Sequence, residues 1–163
     1  MKTLRAILPA VVLASLPVLA QIEGAPAAPT EEAYSIPLEA LEIAADELAA
    51  AGISTRRMLE GGIFSINVRH IEGAETALQH GRISEVWVVR EGSGIIVTGG
   101  SLIDQTASGS GPGEYRGTGI TGGIERFIQA GDLVFVPPGV PHGIRETDSI
   151  TYLNIRFELR DPD

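Results

Sequence analysis

The chain contains no cysteine, and its only lysine is Lys2. The absence of cysteine excludes disulfides, thiol catalysis and thiolate metal ligands, so the fold has to be stabilised by its hydrophobic core. Histidine and carboxylate side chains are left as the source of any metal or acid–base chemistry. Aromatic residues are also few, with four Phe, three Tyr and one Trp, which argues against a large pocket built on aromatic stacking.

Basic residues are scarce relative to acidic ones. The 12 Lys and Arg residues face 21 Asp and Glu residues, which gives a formal charge of −9 in a chain of 163 residues. Nucleic acids and anionic membranes both require a basic face on the protein that binds them. We therefore expect neither as a partner, and the length is that of one domain.

Residues 1–20 have the pattern of a secretory signal peptide. Lys2 and Arg5 precede an apolar run over residues 6–20, which is short for a membrane span of about 20 residues and ends at Val18-Leu19-Ala20 before Gln21. We expect an exported protein, periplasmic or secreted. After cleavage the chain would begin at Gln21 and would no longer be held at the membrane. Residues 21–36 are predicted to be a flexible linker because of their proline and alanine content.

The remainder, residues 37–163, is predicted to be a single domain. A helix is expected over residues 37–51, since Pro37 suits a first helical turn and Gly52 a stop. Its apolar side chains recur on one face and predict packing against the outside of a sheet.

From about residue 55 to residue 159 the apolar pattern has period two and turns are frequent, which predicts an antiparallel sandwich or barrel. A turn is expected at Gly92-Ser93-Gly94, separate strands are expected over 142–145 and 150–159, and residues 104–123 are expected to form a long loop.

Two stretches carry motif spacing that is specific. In the stretch 131–142, G-D-L-V-F-V-P-P-G-V-P-H, a short strand ends at a rigid turn that is followed by a histidine. Its motif residues are Gly131, Pro137, Gly139 and His142. Upstream, His80 is followed by Glu85 and, seven positions later, by Gly92. Together these stretches resemble the two motifs of the cupin superfamily, which implies an all-β antiparallel barrel (a double-stranded β-helix, or jelly roll) with the N-terminal helix outside it.

The resemblance implies a metal site made by His80, Glu85 and His142. Two imidazoles and one carboxylate resemble the facial triad of non-haem iron enzymes, and Fe²⁺, Mn²⁺, Zn²⁺ and Ni²⁺ are all candidate ions. Leu78 occupies the position at which the motif has its first histidine, so one ligand of the common four is missing. His70 is a possible substitute, although a structural histidine at a strand end is the preferred interpretation.

The last predicted strand supplies further candidates. Tyr152, Asn154 and Arg156 alternate with apolar residues, so they form a polar face that points either into the barrel or outward. If it points inward, Arg156 would hold a substrate carboxylate with Tyr152 or Asn154 hydrogen-bonded to it, and these three are the catalytic candidates. Arg82 is a further candidate for substrate binding, and Trp87 is another because it shares the strand face of Glu85.

These features leave several functions open. The first is a metal-dependent enzyme acting on a small organic molecule, either an oxygenase or an isomerase or lyase. The second is a cupin that binds or senses a small ligand without turnover, with a degenerate metal site, and Leu78 favours it. A third is a structural protein with a relic site, and the resemblance also implies a homodimer.

Leu78→His is expected to tighten metal binding, because the new imidazole would complete a set of four ligands. Calorimetric titration of the two proteins with Zn²⁺ would measure the change. Equal affinities would mean that residue 78 does not face the site.

Overall fold

A computed structural model describes residues 24–109 and 111–159. One helix, α1 (Leu38–Ala51), precedes eleven strands. The strands are β1 (Thr55–Glu60), β2 (Phe64–Ile71), β3 (Ala77–Gln79), β4 (Ile83–Thr98), β5 (Ser101–Ile103), β6 (Thr106–Ala107), β7 (Tyr115–Gly117), β8 (Gly119–Thr121), β9 (Ile124–Gln129), β10 (Leu133–Val136) and β11 (His142–Glu158). Each pairing between these strands is antiparallel, so the predicted all-β antiparallel fold with one N-terminal helix is confirmed. The predicted signal peptide lies outside the described residues.

Helix α1 is defined by the residues at its two ends. Pro37 is its N-cap in an extended conformation, and Gly52 is its C-cap with φ of 63°, in the left-handed region that glycine adopts readily. Ala44 and Leu48 are buried against Val68 of β2, and partly buried side chains surround that contact. Within the described residues no helix is long and apolar enough to cross a membrane.

The two longest strands, β4 and β11, pair with each other and form the frame of the fold. β11 also pairs with β2 and β3, while β4 also pairs with β9 and β10, and β5 and β8 form a separate small sheet. The turn expected at Gly92-Ser93-Gly94 and the break expected between residues 145 and 150 are both wrong. Both strands run through these points with local shifts in register. Gly92 has φ of 72° and lies so close to the partner strand that a Cβ would stand 2.1 Å from the Ser149 carbonyl oxygen, so glycine allows the strand to bend without losing its partner.

The long loop expected over residues 104–123 is also wrong in part. β6, β7 and β8 lie within it, and β7 pairs with both β3 and β6. These strands have only two or three residues and are rich in Gly and Thr, so they show no period-two pattern. Their partners in the sheet define them, and the segment is thereby fixed against one edge of the barrel.

Part of the predicted linker also contacts the barrel. The Ala28 backbone N–H donates to the Glu60 carbonyl over 2.7 Å, and the Glu60 N–H donates to the Pro26 carbonyl over 3.0 Å. Residues 26–28 therefore lie along the edge strand β1. These two hydrogen bonds cover backbone groups that an edge strand would otherwise expose.

The alternation along β2 and β11 positions the functional residues. Val68 and Leu153 face helix α1 on the outside of the sheet. Asn67 and Asn154, from the opposite faces of these strands, are buried inside the barrel, where the Asn67 amide donates to the Asn154 carbonyl over 3.1 Å. Helix α1 thus covers the apolar outer face of β2 and β11, and the polar inner face of the same strands forms the site.

The outer face of β9 and β10 is apolar and exposed. Phe127, Leu133 and Phe135 are each 60% or more exposed, and all three line one surface groove. The homodimer expected from the sequence stays a prediction.

Leu48→Ala is expected to lower the free energy of unfolding by about 2–5 kcal/mol, because it leaves a cavity between α1 and β2. Chemical denaturation would measure the loss. Leu38→Ala is the matched control, since Leu38 is on the same helix but 53% exposed. A loss at position 48 as small as that at position 38 would contradict this packing.

Candidate metal centre

Three potential ligands from three separate segments meet inside the barrel. His80 follows β3, Glu85 is the third residue of β4, and His142 is the first residue of β11. All three side chains are buried, and one ligand atom from each lies within 4.8 Å of the others. His80 Nε2 lies 3.4 Å from Glu85 Oε1, and His142 Nε2 lies 3.5 Å from Glu85 Oε2.

Backbone contacts hold the two histidine segments together. Gly139 has φ of 77° in the turn before His142, and its N–H donates to the His80 carbonyl over 2.7 Å. His142 itself pairs with Leu78 of β3 on one side and with Thr98 of β4 on the other. The proline–glycine turn recognised in the sequence therefore fixes both histidines. Gly131 has a similar structural role, with φ of 96° and an N–H that donates to the Val89 carbonyl.

Both imidazoles are oriented by a partner on Nδ1. His142 Nδ1 lies 2.9 Å from the Val140 carbonyl oxygen, so this nitrogen carries a proton and Nε2 is the ring nitrogen that faces Glu85. His80 Nδ1 lies 2.6 Å from the Glu114 carboxylate, on the segment between β6 and β7. An acceptor on the far nitrogen is the usual arrangement for a histidine that ligates a metal.

Glu85 is an ionised carboxylate in a buried position. Its Oε2 accepts from Trp87 Nε1 over 2.7 Å and from Asn154 Nδ2 over 3.0 Å, and its Oε1 lies 3.1 Å from Arg156 Nε. Burial by itself would raise the pKa of Glu85. His142, the Trp87 hydrogen bond and the Arg156 charge outweigh burial and lower the pKa to about 2.

Arg156 is the closest cation to the ligand atoms. Its guanidinium Nη2 lies 3.2 Å from His80 Nε2, in addition to the contact of Nε with Glu85. Although that Nε lies near Oε1, it is not aligned for a hydrogen bond and has no such partner among the described residues. Two of the three potential metal ligands therefore face a guanidinium.

His80 and Tyr152 are both shifted toward their uncharged forms. Burial lowers the pKa of His80 and Arg156 lowers it further, although the Glu114 hydrogen bond acts in the opposite direction. Burial, with the Glu85 charge adding to it, raises the pKa of Tyr152 to about 12, while Arg69 opposes this shift. At neutral pH the site thus presents a neutral imidazole and a phenol that can donate a hydrogen bond but not act as a base.

These side chains enclose an inner cavity of about 90 Å³. Its walls include every metal-ligand candidate and most of the substrate-binding candidates predicted from the sequence: His80, Glu85, Trp87, His142, Tyr152, Asn154 and Arg156. The polar face of the last strand, whose direction the sequence left open, points inward. Leu78 also lines this cavity, as its place in the motif requires.

Two candidates lie elsewhere. Arg82 does not line the inner cavity; its Nη2 donates to the Leu159 carbonyl over 2.7 Å at the surface. His70 shares its strand face with Val68, so it points away from the barrel interior, and its Nδ1 lies 2.9 Å from the Thr151 hydroxyl. It is not part of the ligand cluster.

The sequence reasoning did not single out several residues of the site. Arg57, Asn67, Arg69 and Glu75 line the inner cavity, and Glu114 orients His80. The alternation of Asn67 and Arg69 with apolar residues is the same signal that marked the last strand, and it would have found the β2 residues. No local pattern marks Glu75 or Glu114, because each lies in an irregular segment.

The residues present fit a divalent metal ion. The donor set is two imidazole nitrogens and a carboxylate of pKa about 2, so proton competition at the carboxylate is negligible near neutral pH. Asn154 Oδ1 is buried without a hydrogen-bond partner among the described residues. Because residue 78 is a leucine, which cannot ligate a metal, this set has three protein ligands.

Comparison with solved structures identifies the fold. The protein BH2720 from Bacillus halodurans is 15% identical over 81% of this chain and 86% of its own, with a TM-score of 0.54. A cupin-2 domain protein from Shewanella frigidimarina is 20% identical (63% and 78% covered, TM-score 0.41), and a predicted oxalate decarboxylase from Thermotoga maritima is 15% identical (69% and 74% covered, TM-score 0.40). No protein-family model and no curated protein matches the chain. At these identities the likeness is one of fold alone, and it agrees with the antiparallel β fold that the two motifs imply.

Arg156→Gln is expected to raise metal affinity by about tenfold or more, because it removes a positive charge next to two ligands. Titration with Zn²⁺ and Mn²⁺ would measure the change. Arg145→Gln, at an exposed arginine on the outer surface, is the matched control and is expected to bind as the unaltered protein does. Weaker binding by the Arg156 variant would mean that Arg156 holds the ligands in place.

Protonation of His80 is expected to weaken metal binding only at a pH below the ordinary imidazole value of 6.5. Only neutral His80 can ligate, and its lowered pKa keeps the proton off until the solution is more acidic than the ordinary value of 6.5. Glu85 remains ionised near this pH. Glu114→Gln removes the contact that raises the pKa of His80, so the metal affinity of this variant should decline at lower pH. Titration of metal affinity against pH in the two proteins would measure the shift, and equal midpoints would contradict the role given to Glu114.

Proposed function

We propose that this protein binds a divalent metal through His80, Glu85 and His142 and is an enzyme that acts on a small organic molecule in the barrel. The observation that carries the proposal is the geometry of the two imidazoles. Each presents Nε2 toward the same ionised carboxylate while its Nδ1 is engaged by an acceptor. A pair of structural histidines does not require this arrangement, whereas metal ligation does.

A bound metal would supply a Lewis acid for an isomerase or lyase reaction, or a redox centre for an oxygenase reaction if it is iron. Fe²⁺, Mn²⁺, Zn²⁺ and Ni²⁺ all suit imidazole and carboxylate ligands. With three protein ligands, positions remain for a substrate group. The two reaction classes would be distinguished by the ion that the protein selects.

The polar residues around the ligands would position the substrate. The Arg156 guanidinium would pair with an anionic substrate group. Tyr152 stays protonated and is stacked on Trp87 with ring centroids 4.5 Å apart, so it would donate a hydrogen bond from a fixed place. Asn154 has an unpartnered Oδ1 that could accept one.

Non-catalytic binding of a small ligand is the second candidate. It is favoured by Leu78, which removes the fourth ligand of the common cupin set, and by the contact of Arg156 with two of the remaining three. In this case Arg156 would serve as the positive charge of the site, and the protein would sense or sequester an anion without turnover.

Elemental analysis of untagged protein, before and after loading with iron, manganese, zinc or nickel, would test the proposal. We expect about one metal per chain, lost in Glu85→Gln and in His142→Ala. Glu91→Gln, at an exposed position of the same strand, is the control and should load normally. No loading by any of these ions would favour the second candidate, and loading that survives Glu85→Gln would place the metal elsewhere.

Export is also proposed, on the pattern of residues 1–20 alone. The inner cavity would then meet small molecules of the periplasm or the medium. The intact mass of the protein isolated from its native source would test this, because cleavage after Ala20 leaves a chain that begins at Gln21.

A further inference from the structure

The inner cavity is too small for the substrate that the proposed function requires. Its volume of about 90 Å³ is that of a few water molecules, whereas pockets for small organic ligands have roughly 300–1,000 Å³. Any organic substrate of the metal site therefore has to extend beyond this cavity.

A larger groove adjoins the inner cavity. This outer groove, of about 510 Å³, lies between the end of α1, the end of β2, residues 72–76 and strands β3 and β7. Arg69, Glu75 and Leu78 line both spaces. They therefore form a wall that has the ligand cluster on one side and the outer groove on the other.

The wall consists of an ion pair and one leucine. Arg69 Nη2 forms a salt bridge with Glu75 Oε1, and both side chains are largely buried. Leu78 completes the wall at the position where the cupin motif has its first histidine. A leucine side chain changes rotamer without losing a metal bond or a hydrogen bond, so it can move where a ligating histidine could not.

The lining of the outer groove fits a carboxylate with an apolar tail. Leu48, Ile53 and Ala49 of the α1 side supply apolar surface. Among the acidic residues of the groove, Glu75 pairs with Arg69 and Glu72 Oε1 lies 3.4 Å from His70 Nε2. Arg69 Nε is buried without a hydrogen-bond partner, and Arg116 forms no ion pair with the described part of the chain. The groove thus offers the guanidinium of Arg116, which has no carboxylate partner among the described residues, and the unused Nε–H of Arg69, whose charge is already paired with Glu75.

We propose that the outer groove is the binding site for the substrate of this protein, a small carboxylic acid with an apolar tail. Its carboxylate is held at Arg69 and Arg116, and Leu78 opens the way from the groove to the ligand cluster. This inference rests on the proposed function for what happens beyond the wall. Binding in the groove itself does not require a metal.

Hexanoate and its neutral analogue hexanamide are suitable probes, used with full-length protein depleted of metal on a chelating resin. Calorimetric titration is expected to show hexanoate binding about tenfold or more tightly than hexanamide, because charged hydrogen bonds to the arginines are lost with the amide. Equal affinities, or no binding of hexanoate, would overturn the proposal.

Two matched pairs of variants locate the binding site. Ala49→Phe fills the groove and should weaken hexanoate binding about tenfold or more, whereas Ala50→Phe, at the next exposed position of α1, should not. Arg116→Gln should remove the preference for the acid, whereas Arg126→Gln, at an exposed position of β9, should keep it. If Ala50→Phe weakens binding as much as Ala49→Phe, or if Arg126→Gln removes the preference for the acid as Arg116→Gln does, hexanoate binds elsewhere.

Trp87, the only tryptophan, lines the inner cavity, so its fluorescence measures how easily solutes reach that cavity. It is 1% exposed, so quenching of its fluorescence by acrylamide should be weak. Leu78→Ala is expected to increase the quenching constant at least threefold, while Leu133→Ala, on the outer face of β10, leaves it unchanged. No increase would show that Leu78 does not separate the two spaces.

The tests separate this inference from the proposed function. Hexanoate binding by a protein that loads no metal would support the groove as a binding site and contradict the metal-dependent enzyme. Metal loading without hexanoate binding would support the metal site and contradict the groove.

Discussion

The buried carboxylate of Glu85 is the constraint on which the site depends. A carboxylate inside a barrel is costly unless charge and hydrogen bonds compensate for its lost hydration. Here a tryptophan N–H, an asparagine amide, a guanidinium and an imidazole surround it, and its pKa falls to about 2. Because these partners all lie on β4 and β11, the arrangement of the two strands cannot change without disturbing the site.

The frame made by these two strands explains why the ligands are fixed before any metal arrives. His142 begins β11, Glu85 lies near the start of β4, and the Gly139 N–H ties the turn before His142 to the backbone of His80. Preorganised ligands lose little entropy on binding a metal. The same closeness brings Arg156 against the ligands. A bound divalent ion would compete with this guanidinium for one carboxylate, and the balance between them would decide whether the site is a metal centre or an anion site.

Much of the site could be predicted from the sequence because its information is local. The spacing of Gly131, Pro137, Gly139 and His142 describes one turn, and the alternation of Tyr152, Asn154 and Arg156 describes one strand face. Other features had no local signal. β7 exists because β3 and β6 flank it, and Glu114 contacts His80 across 34 positions of chain. Gly92 looked like a turn because glycine marks turns and strand bends alike, and only its partner strand distinguishes the two.

The amino-acid sequence limits the chemistry that is possible: it has no thiolate ligands, two histidines and a glutamate at a spacing that resembles the cupin motifs, and a leucine where those motifs commonly have a further histidine. It also determined the alternating strands, since period-two patterning is set by the pleat of each strand alone. Three features become visible only in the folded chain: which face of β2 and β11 points inward, that Arg82 and His70 lie away from the ligands, and that Arg69, Glu75 and Leu78 line two spaces. These outcomes depend on contacts between segments far apart in the chain, and helix α1, by covering the apolar face of the sheet, leaves the polar face to form the site.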